Sequence, residues 1–313
     1  MNQFYNRDSN ITGVSLINLI DYSPAYGSRV SFSSSLNKYE THNGYYNMIP
    51  LSINSLNAEY QLRYDVTETD AQKIVYFVEN NKGINKLEFS DPSNIYKNIS
   101  GVVDKYSINH INKNHYEVAI SFTVNESPNL FNWSGMNFVN SLFQTWGPNI
   151  NYEKYSIVYS GINKNKLNNY YYCHANHSSS LESVDGPTGT SSKWSQNFFF
   201  EPDIGLQNDV SLKVDKLEFK NSFVQRIKNR KHAAQTEFSY KFTSSSDLKT
   251  KAILHFLENK AGYRRFYSEP TSVYNLTKIF YSPSWSHSWK FRDSHDVEVS
   301  LIEDPLGIVP TGS

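Results

Sequence analysis

Residues Ile74–Gly83 read "IVYFVENNKG", and residues Ile253–Gly262 read "ILHFLENKAG". Ile, Phe, Glu, Asn and Gly fall at matching places in both, 179 positions apart. Apolar side chains recur at helical spacing in each: Ala71, Ile74, Val75 and Val78 in one, Ile253, Phe256 and Leu257 in the other. Thr67-Glu-Thr-Asp70 and Ser244-Ser-Ser-Asp247 both fit a capping box with Asp in place of Glu. Gly83 and Gly262 stand where a helix end favours a left-handed residue. Each predicted helix has about three turns, which is marginal alone in water, so each must lie on something. The expectation is that Ile74, Phe77 and Val78, and likewise Ile253, Phe256 and Leu257, bury against their own sheets.

The flanks supply those sheets. Tyr60, Leu62, Tyr64 and Val66 alternate before the first helix, as do Phe238, Tyr240 and Phe242 before the second. A period of two marks a strand with one buried face. Beyond the helices, Tyr106, Ile108 and His110 match Trp285, His287 and Trp289 at the same offset. Closing strands follow, with Tyr116, Val118, Ile120 and Phe122 in one copy and Val297, Val299 and Leu301 in the other. Upstream, "NGY" at Asn43 and "NSF" at Asn221 keep nearly that offset. An offset held through helix, loop and strands implies a duplicated unit of about a hundred residues.

Composition agrees with a mainly β chain. The 313 residues include 23 Tyr and 19 Phe, which bring large buried area and favour strands over helix bundles. Lys+Arg and Asp+Glu are both 30, which argues against a protein that wraps nucleic acid by charge neutralisation. The single cysteine, Cys173, excludes an intrachain disulfide and a multi-cysteine zinc site. No apolar run has the length of a membrane span. "MNQFYNRDSN" has neither the basic nor the apolar region of a signal peptide.

Between the copies, residues 132–200 are dense in aromatics, Ser and Gly and lack helical periodicity. They are read as a small inserted module of short strands, with "LESVDGPTGTSS" as a loop. The expected division is 1–131 for the first copy, 132–200 for the module and 201–313 for the second copy.

The second copy, "AILHFLENKAGYRRFYSEP" followed by "SWSHSWKFRDSHDVEVSLIED", resembles the phage minor tail proteins of the lambda M type and related distal tail proteins. The likeness covers roughly residues 216–304. The first copy joins it through the internal repeat. Where the family has a glycine-rich stretch, this chain reads "FKNSFVQRIKNRKH", keeping Phe219, Phe223, Gln225 and Arg226. The resemblance implies two tail-tube-like β-sandwich or split-barrel domains, each with one packed helix. It also implies a structural virion protein of a tail tip or baseplate, made in a host cytoplasm, without catalysis or cofactor. Partners would be other tail proteins and further copies of itself, three or six in a ring near the DNA channel. The insert, "YSIVYS" through "NNYYYCHANHSSS" to "SKW", is similar to chitin-binding-type carbohydrate modules. Tyr155, Val158, Tyr159, Tyr171 or Tyr172, Cys173, His177, Pro187 and Trp194 fall in matching order. A host surface glycan is therefore a second candidate partner.

Several clusters invite chemistry. Cys173, His174 and His177 offer at most three metal ligands, and a buried thiol beside satisfied histidines is the expectation. Tyr155, Tyr159, Tyr170, Tyr171, Tyr172 and Trp194 are the candidate glycan or partner surface. Strand alternation sends Tyr170 and Tyr172 to one face and Tyr171 to the other. One set is expected to build a small core with Val158 and Trp194. Trp285, His287 and Trp289, with Phe291 beyond, form an aromatic strip whose expected role is a core or subunit interface. Arg226, Lys228 and Arg230 are the strongest basic cluster and a further candidate interface. Asp104 with Glu117, or Asp296 with Glu298, could be imagined as a glycosidase pair. No catalytic or metal residue is assigned.

Overall fold

A computed structural model of the chain describes residues 22–40, 46–51, 56–81, 83, 87–89, 99–124, 143–159, 170–190, 192–203, 207–212, 215–218, 224–227, 234–268, 278–291 and 293–304. Asn43, Asn221, Lys228 and Arg230, singled out above, lie outside the described residues.

The elements before residue 125 are β1 (Arg29–Ser34), β2 (Leu36–Glu40), β3 (Tyr46–Pro50), β4 (Leu56–Thr67), α1 (Glu68–Asn81), β5 (Leu87–Phe89), β6 (Ile99–Asn112) and β7 (His115–Val124). A second group holds β8 (Phe143–Thr145), β9 (Asn151–Tyr152), β10 (Ile157–Tyr159), β11 (Tyr170–Cys173), β12 (His177–Ser178), α2 (Glu182–Asp185) and β13 (Trp194–Ser195). The last comprises β14 (Gln207–Leu212), β15 (Asp215–Glu218), β16 (Val224–Ile227), β17 (Ala234–Ser245), α3 (Asp247–Lys260), β18 (Phe266–Ser268), β19 (Lys278–Phe291) and β20 (Ser294–Glu303). The chain is thus mainly β, with one long helix in each half.

The last group repeats the first. In the first half β4 lies between β1 and β7, with β6 and β5 beyond; in the second, β17 lies between β14 and β20, with β19 and β18 beyond. Hairpin β2–β3 has its twin in β15–β16. Helices α1 and α3 begin at Glu68 and Asp247, 179 residues apart. Even the irregularities recur. The β6–β7 ladder shifts between His110 and Asn112, and the β19–β20 ladder between Trp289 and Phe291. The tight turns carry positive φ at Asn114 and Asp293.

Strands β4 and β17, with their partners β1 and β14, are offset by 178 rather than 179. The β17–β20 register slips between Phe242 and Ser245, with Ser244 at a φ of 50°. This bulge adds the missing residue. It also corrects the capping pattern. Thr67 caps α1, accepting a hydrogen bond from Asp70 N at 3.3 Å. In the second copy Ser246 is the cap and accepts from Lys249 N, while Ser244 belongs to the bulge. At the other end Ala261 takes the left-handed cap (φ 50°), one residue before Gly262 (φ 80°).

The two halves are joined. A 10-stranded sheet runs β14-β17-β20-β19-β1-β4-β7-β6-β5, with β18 pairing β19 off this path. One face is apolar: Tyr60, Leu62, Tyr64, Val118, Ile120 and Phe122 lie buried in the first half, and Phe238, Tyr240, Phe242, Val297, Val299 and Leu301 in the second. The helices lie on this face. Helix α1 buries Ala71, Ile74, Val75 and Val78, leaving Phe77 only half-buried. Helix α3 is enclosed more fully, with Ile253, Phe256, Leu257, His255, Glu258 and Asn259 all buried. The difference is the central group, which covers α3 and has no counterpart on α1 among the described residues.

Candidate functional site: an assembly interface

The seam between the halves is the β1–β19 ladder, antiparallel, with Val30 opposite His287, Ser31 opposite Ser286 and Phe32 opposite Trp285. Strand β1 reads "RVSFSS", so alternation places Val30 and Phe32 on the apolar face and Arg29, Ser31 and Ser33 on the polar one. On the apolar side Phe32 stacks on Trp285 at 5.4 Å between ring centres. Such a pair adds to the area it buries. Trp285, His287 and Trp289 are all buried here, so the aromatic strip is an interface within the chain, while Phe291 beyond it is exposed. At the end of the ladder Gly27 N donates to Trp289 O at 2.7 Å, and Trp289 N donates to Ser28 O at 3.2 Å. At the other end Ser34 Oγ donates to Ala261 O at 3.2 Å. Gly262 is tight against β1: a Cβ there would lie 1.8 Å from Ser34 Oγ.

A buried polar relay runs from this seam. His287 Nε2 and His295 Nδ1 are 3.0 Å apart, and His295 Nε2 is 2.5 Å from Asp247 Oδ1 at the start of α3. The acceptor Asp247 fixes the proton of His295 on Nε2, so His287 Nε2 donates to His295 Nδ1. Burial, then the neighbouring His295, holds the His287 pKa well below its ordinary value.

The polar side of the seam is a groove of about 550 Å³ lined by serines, including Ser31, Ser284, Ser286 and Ser300, together with Arg29, Glu59 and Glu298. Several cations on the polar face are matched to carboxylates. Arg29 and Lys241 both approach Glu298 (3.8 and 3.4 Å), Arg63 pairs with Glu117, and Lys290 lies 2.6 Å from Asp296. Asp104 accepts from Thr123. The two carboxylate pairs imagined from the sequence are thus bound to surface partners.

The central group uses its aromatics in two ways. Tyr170 and Tyr172 are buried against α3: the Tyr172 hydroxyl and His255 Nδ1 share a hydrogen bond at 2.9 Å, and the Tyr170 ring meets the His255 ring edge-on at 4.7 Å. Burial lowers the His255 pKa to about 3 and pushes that of Tyr170 up to about 12. Tyr171 turns the other way and packs with Tyr152, Val158, Cys173 and Trp194 in a separate small core. Trp194 donates from Nε1 to Asp185 O at 3.0 Å. Tyr155 is half-buried and stacks near Phe199 at 6.2 Å; Tyr159 is half-buried near Tyr170. The loop expected around residues 181–192 holds one helical turn, α2, tied by Ser180 donating to Asp185 Oδ2 at 2.9 Å.

Cys173 is a buried thiol that donates to Ala175 O at 3.0 Å, with His177 Nδ1 3.5 Å from its sulfur. Burial raises its pKa to about 11. Among the described residues no group of three or more His, Cys, Asp or Glu could hold a metal ion. Among them, no helix is long and apolar enough to cross a membrane. Arg226 lies on β16, opposite Lys216. The signals that sequence reasoning missed are β1 as the seam strand and His255 as the seat of the module. Neither has a local pattern that names its partner.

Chain and site together define a mainly β protein built from a repeated sheet-and-helix unit joined strand to strand. Among solved structures, it is similar to a tail protein from Neisseria meningitidis MC58, with 7% identity over 90% of this chain and 98% of that one, and a TM-score of 0.29. It is similar also to the 43 kDa tail protein of prophage MuSo2 from Shewanella oneidensis (6% identity, 91% and 96% covered, TM-score 0.31). A third is an E. coli component of the type VI secretion system, described as structurally similar to T4 tail proteins gp27 and gp5 (7% identity, 93% and 77% covered, TM-score 0.31). No family model matches the sequence, and no curated protein does.

Proposed function

We propose that this chain is a non-enzymatic structural protein of a phage tail tip or baseplate, carried in the virion, whose repeat units form part of a ring around the tail channel. The observation that carries this reading is the seam: two copies of one unit already stand side by side in one continuous sheet. Three chains would supply six units. Within each chain the division is 1–131, 132–200 and 201–313, and neighbouring tail proteins are the other partners. The resemblance of residues 216–304 to minor and distal tail proteins, which the first copy joins through the internal repeat, supports it.

The polar sheet face suits a channel wall. Its serines offer no fixed charge, and the cations paired above are already neutralised, so DNA phosphates find few sites to hold them. The central module sits on α3, on the opposite side of the sheet, and so faces outward in such a ring. Tyr170 and Tyr172 are engaged by α3, which leaves Tyr155, Tyr159 and Tyr171 as the half-exposed rings. We read the module as a brace and a contact for another tail protein. Titration of the chain with host polysaccharide is expected to give no binding, and saturable binding abolished by Tyr159→Ala would replace this reading of the module. The functional reading itself is tested by a reconstruction of the intact tail. A chain that lies off the axis, or shows no rotational symmetry, sinks it.

A further inference from the structure

The seam uses one edge of each repeat and leaves one of each. Strand β1 of the first copy pairs with β19 of the second. Their twins are β14, at one end of the sheet, and the stretch 105–109 of β6, near the other. Among the described residues no strand pairs with the outer edge of either. We propose that a second copy of this chain docks there, β14 of one chain adding to β6 of the next in the register of the internal seam. The proposal rests on the ring reading above and names the surfaces that make the ring.

The internal seam fixes the geometry. Val30 and Asn208 face Tyr60 and Phe238, which are themselves twins, so β1 maps on β14 by 178 residues. Strand β19 maps on β6 by 179. Transferred to the outer edges, Ser31 opposite Ser286 becomes Asp209 opposite Ser107, and Val30 opposite His287 becomes Asn208 opposite Ile108.

Burial reports the missing strand. His287, covered by β1, is 1% exposed, whereas its twin Ile108 is 43% exposed. A bare strand edge with an apolar side chain on it is a template for another strand. Charge favours a copy of this chain as that strand. In the transferred register Asp209 lies diagonally across from Lys105 on the polar face, both exposed, where opposite charges attract. The contact is heterologous, because the edge offered and the edge accepted lie at opposite ends of the sheet. Each added chain therefore presents a new β6 edge until the assembly closes.

The test introduces cysteines at the transferred register. The native thiol of Cys173 is buried and leaves little background. A chain carrying Asp209→Cys, mixed with a chain carrying Ser107→Cys and oxidised, is expected to give covalent dimers, and neither chain alone should. Ile108→Lys, at a position open to solvent, is expected to abolish oligomers in light scattering while leaving the unfolding midpoint unchanged. Ile49→Lys, at an equally exposed site on β3, should leave assembly intact. An oligomer that forms without the Asp209–Ser107 cross-link overturns the edge assignment and leaves the ring reading standing. Wild-type chain that stays monomeric at its highest soluble concentration, with no cross-link, overturns the proposal. Cross-linked rings that are absent from purified tails would instead sink the functional reading alone.

Discussion

Phe77 and Phe256 hold the same place in two copies of one helix, and their surroundings part them. The Phe256 ring lies 5.1 Å from Phe266, 5.3 Å from Phe198 and 5.4 Å from Tyr172, and is wholly buried. Among the described residues no module covers Phe77, which stays half-buried. Phe256→Ala should cost roughly 3–5 kcal/mol, as for a large-to-small change in a closed core. Phe77→Ala removes a ring that keeps contact with water and should cost about half of that or less. Urea unfolding of the two variants checks this, and equal losses would mean that α1 is covered as α3 is. The sequence makes the two phenylalanines equivalent. What separates them is contact with Phe198 and Tyr172, which are far upstream of Phe256 in the chain, so that local spacing carries no signal of it.

At the scale of elements, the helices and their sheets could be read because each rests on local periodicity: 3.6 for α1 and α3, two for the strands around them. The seam could not. Strand β1 pairs with β4 and β19 alike, and alternation in "RVSFSS" gives its faces without naming either neighbour. The bulge at Ser244 was hidden for a similar reason, since a run of three serines does not disclose which one caps the helix. Two expectations follow for the elements themselves. The amide protons of α3 should exchange more slowly than those of α1, because α3 is enclosed by sheet and module; mass-resolved hydrogen exchange showing equal protection would refute the bracing role. Gly262→Ala should loosen the β1 seam, since the new Cβ would meet Ser34 Oγ at 1.8 Å and Ser34 Cβ at 2.5 Å, on backbone at a φ of 80° that costs a further ~1–2 kcal/mol in a non-glycine residue. Ser34→Gly removes both clashing atoms. In a double-mutant cycle it should therefore recover the steric part of the loss, leaving a coupling of roughly 1–3 kcal/mol. Additive losses would place the strain in the left-handed backbone alone.

For the molecule as a whole, acid is the condition that reaches both internal contacts at once. His255 lies on the face of α3 that the module covers, faced by Tyr170 and Tyr172, and burial lowers its pKa from 6.5 to about 3. His287 lies at the seam between the halves, faced by His295, and its pKa is also well below the ordinary value. Both are held neutral when folded, so the unfolded chain takes up more protons. The stability they allow is complete above pH 6.5, the unfolded value, and is lost as pH falls from there toward the folded values. For His255 the full loss approaches about 4–5 kcal/mol by pH 3, at 1.36 kcal/mol per unit. Asp70 is shifted the same way by its Thr67 hydrogen bond, but it adds acid sensitivity only below its ordinary value of 3.8. The window above pH 3.8 is therefore free of the Asp70 effect. Between pH 6.5 and 4 the unfolding free energy should fall as pH falls, with His255 contributing a slope approaching about 1.4 kcal/mol per pH unit and His287 steepening it. His255→Gln keeps a hydrogen-bond partner for Tyr172 and has nothing to titrate, so it should remove the His255 share of that slope. A wild-type profile that is flat across this window would mean that one or both histidines reach water, and that the module and the seam are looser than their buried contacts imply.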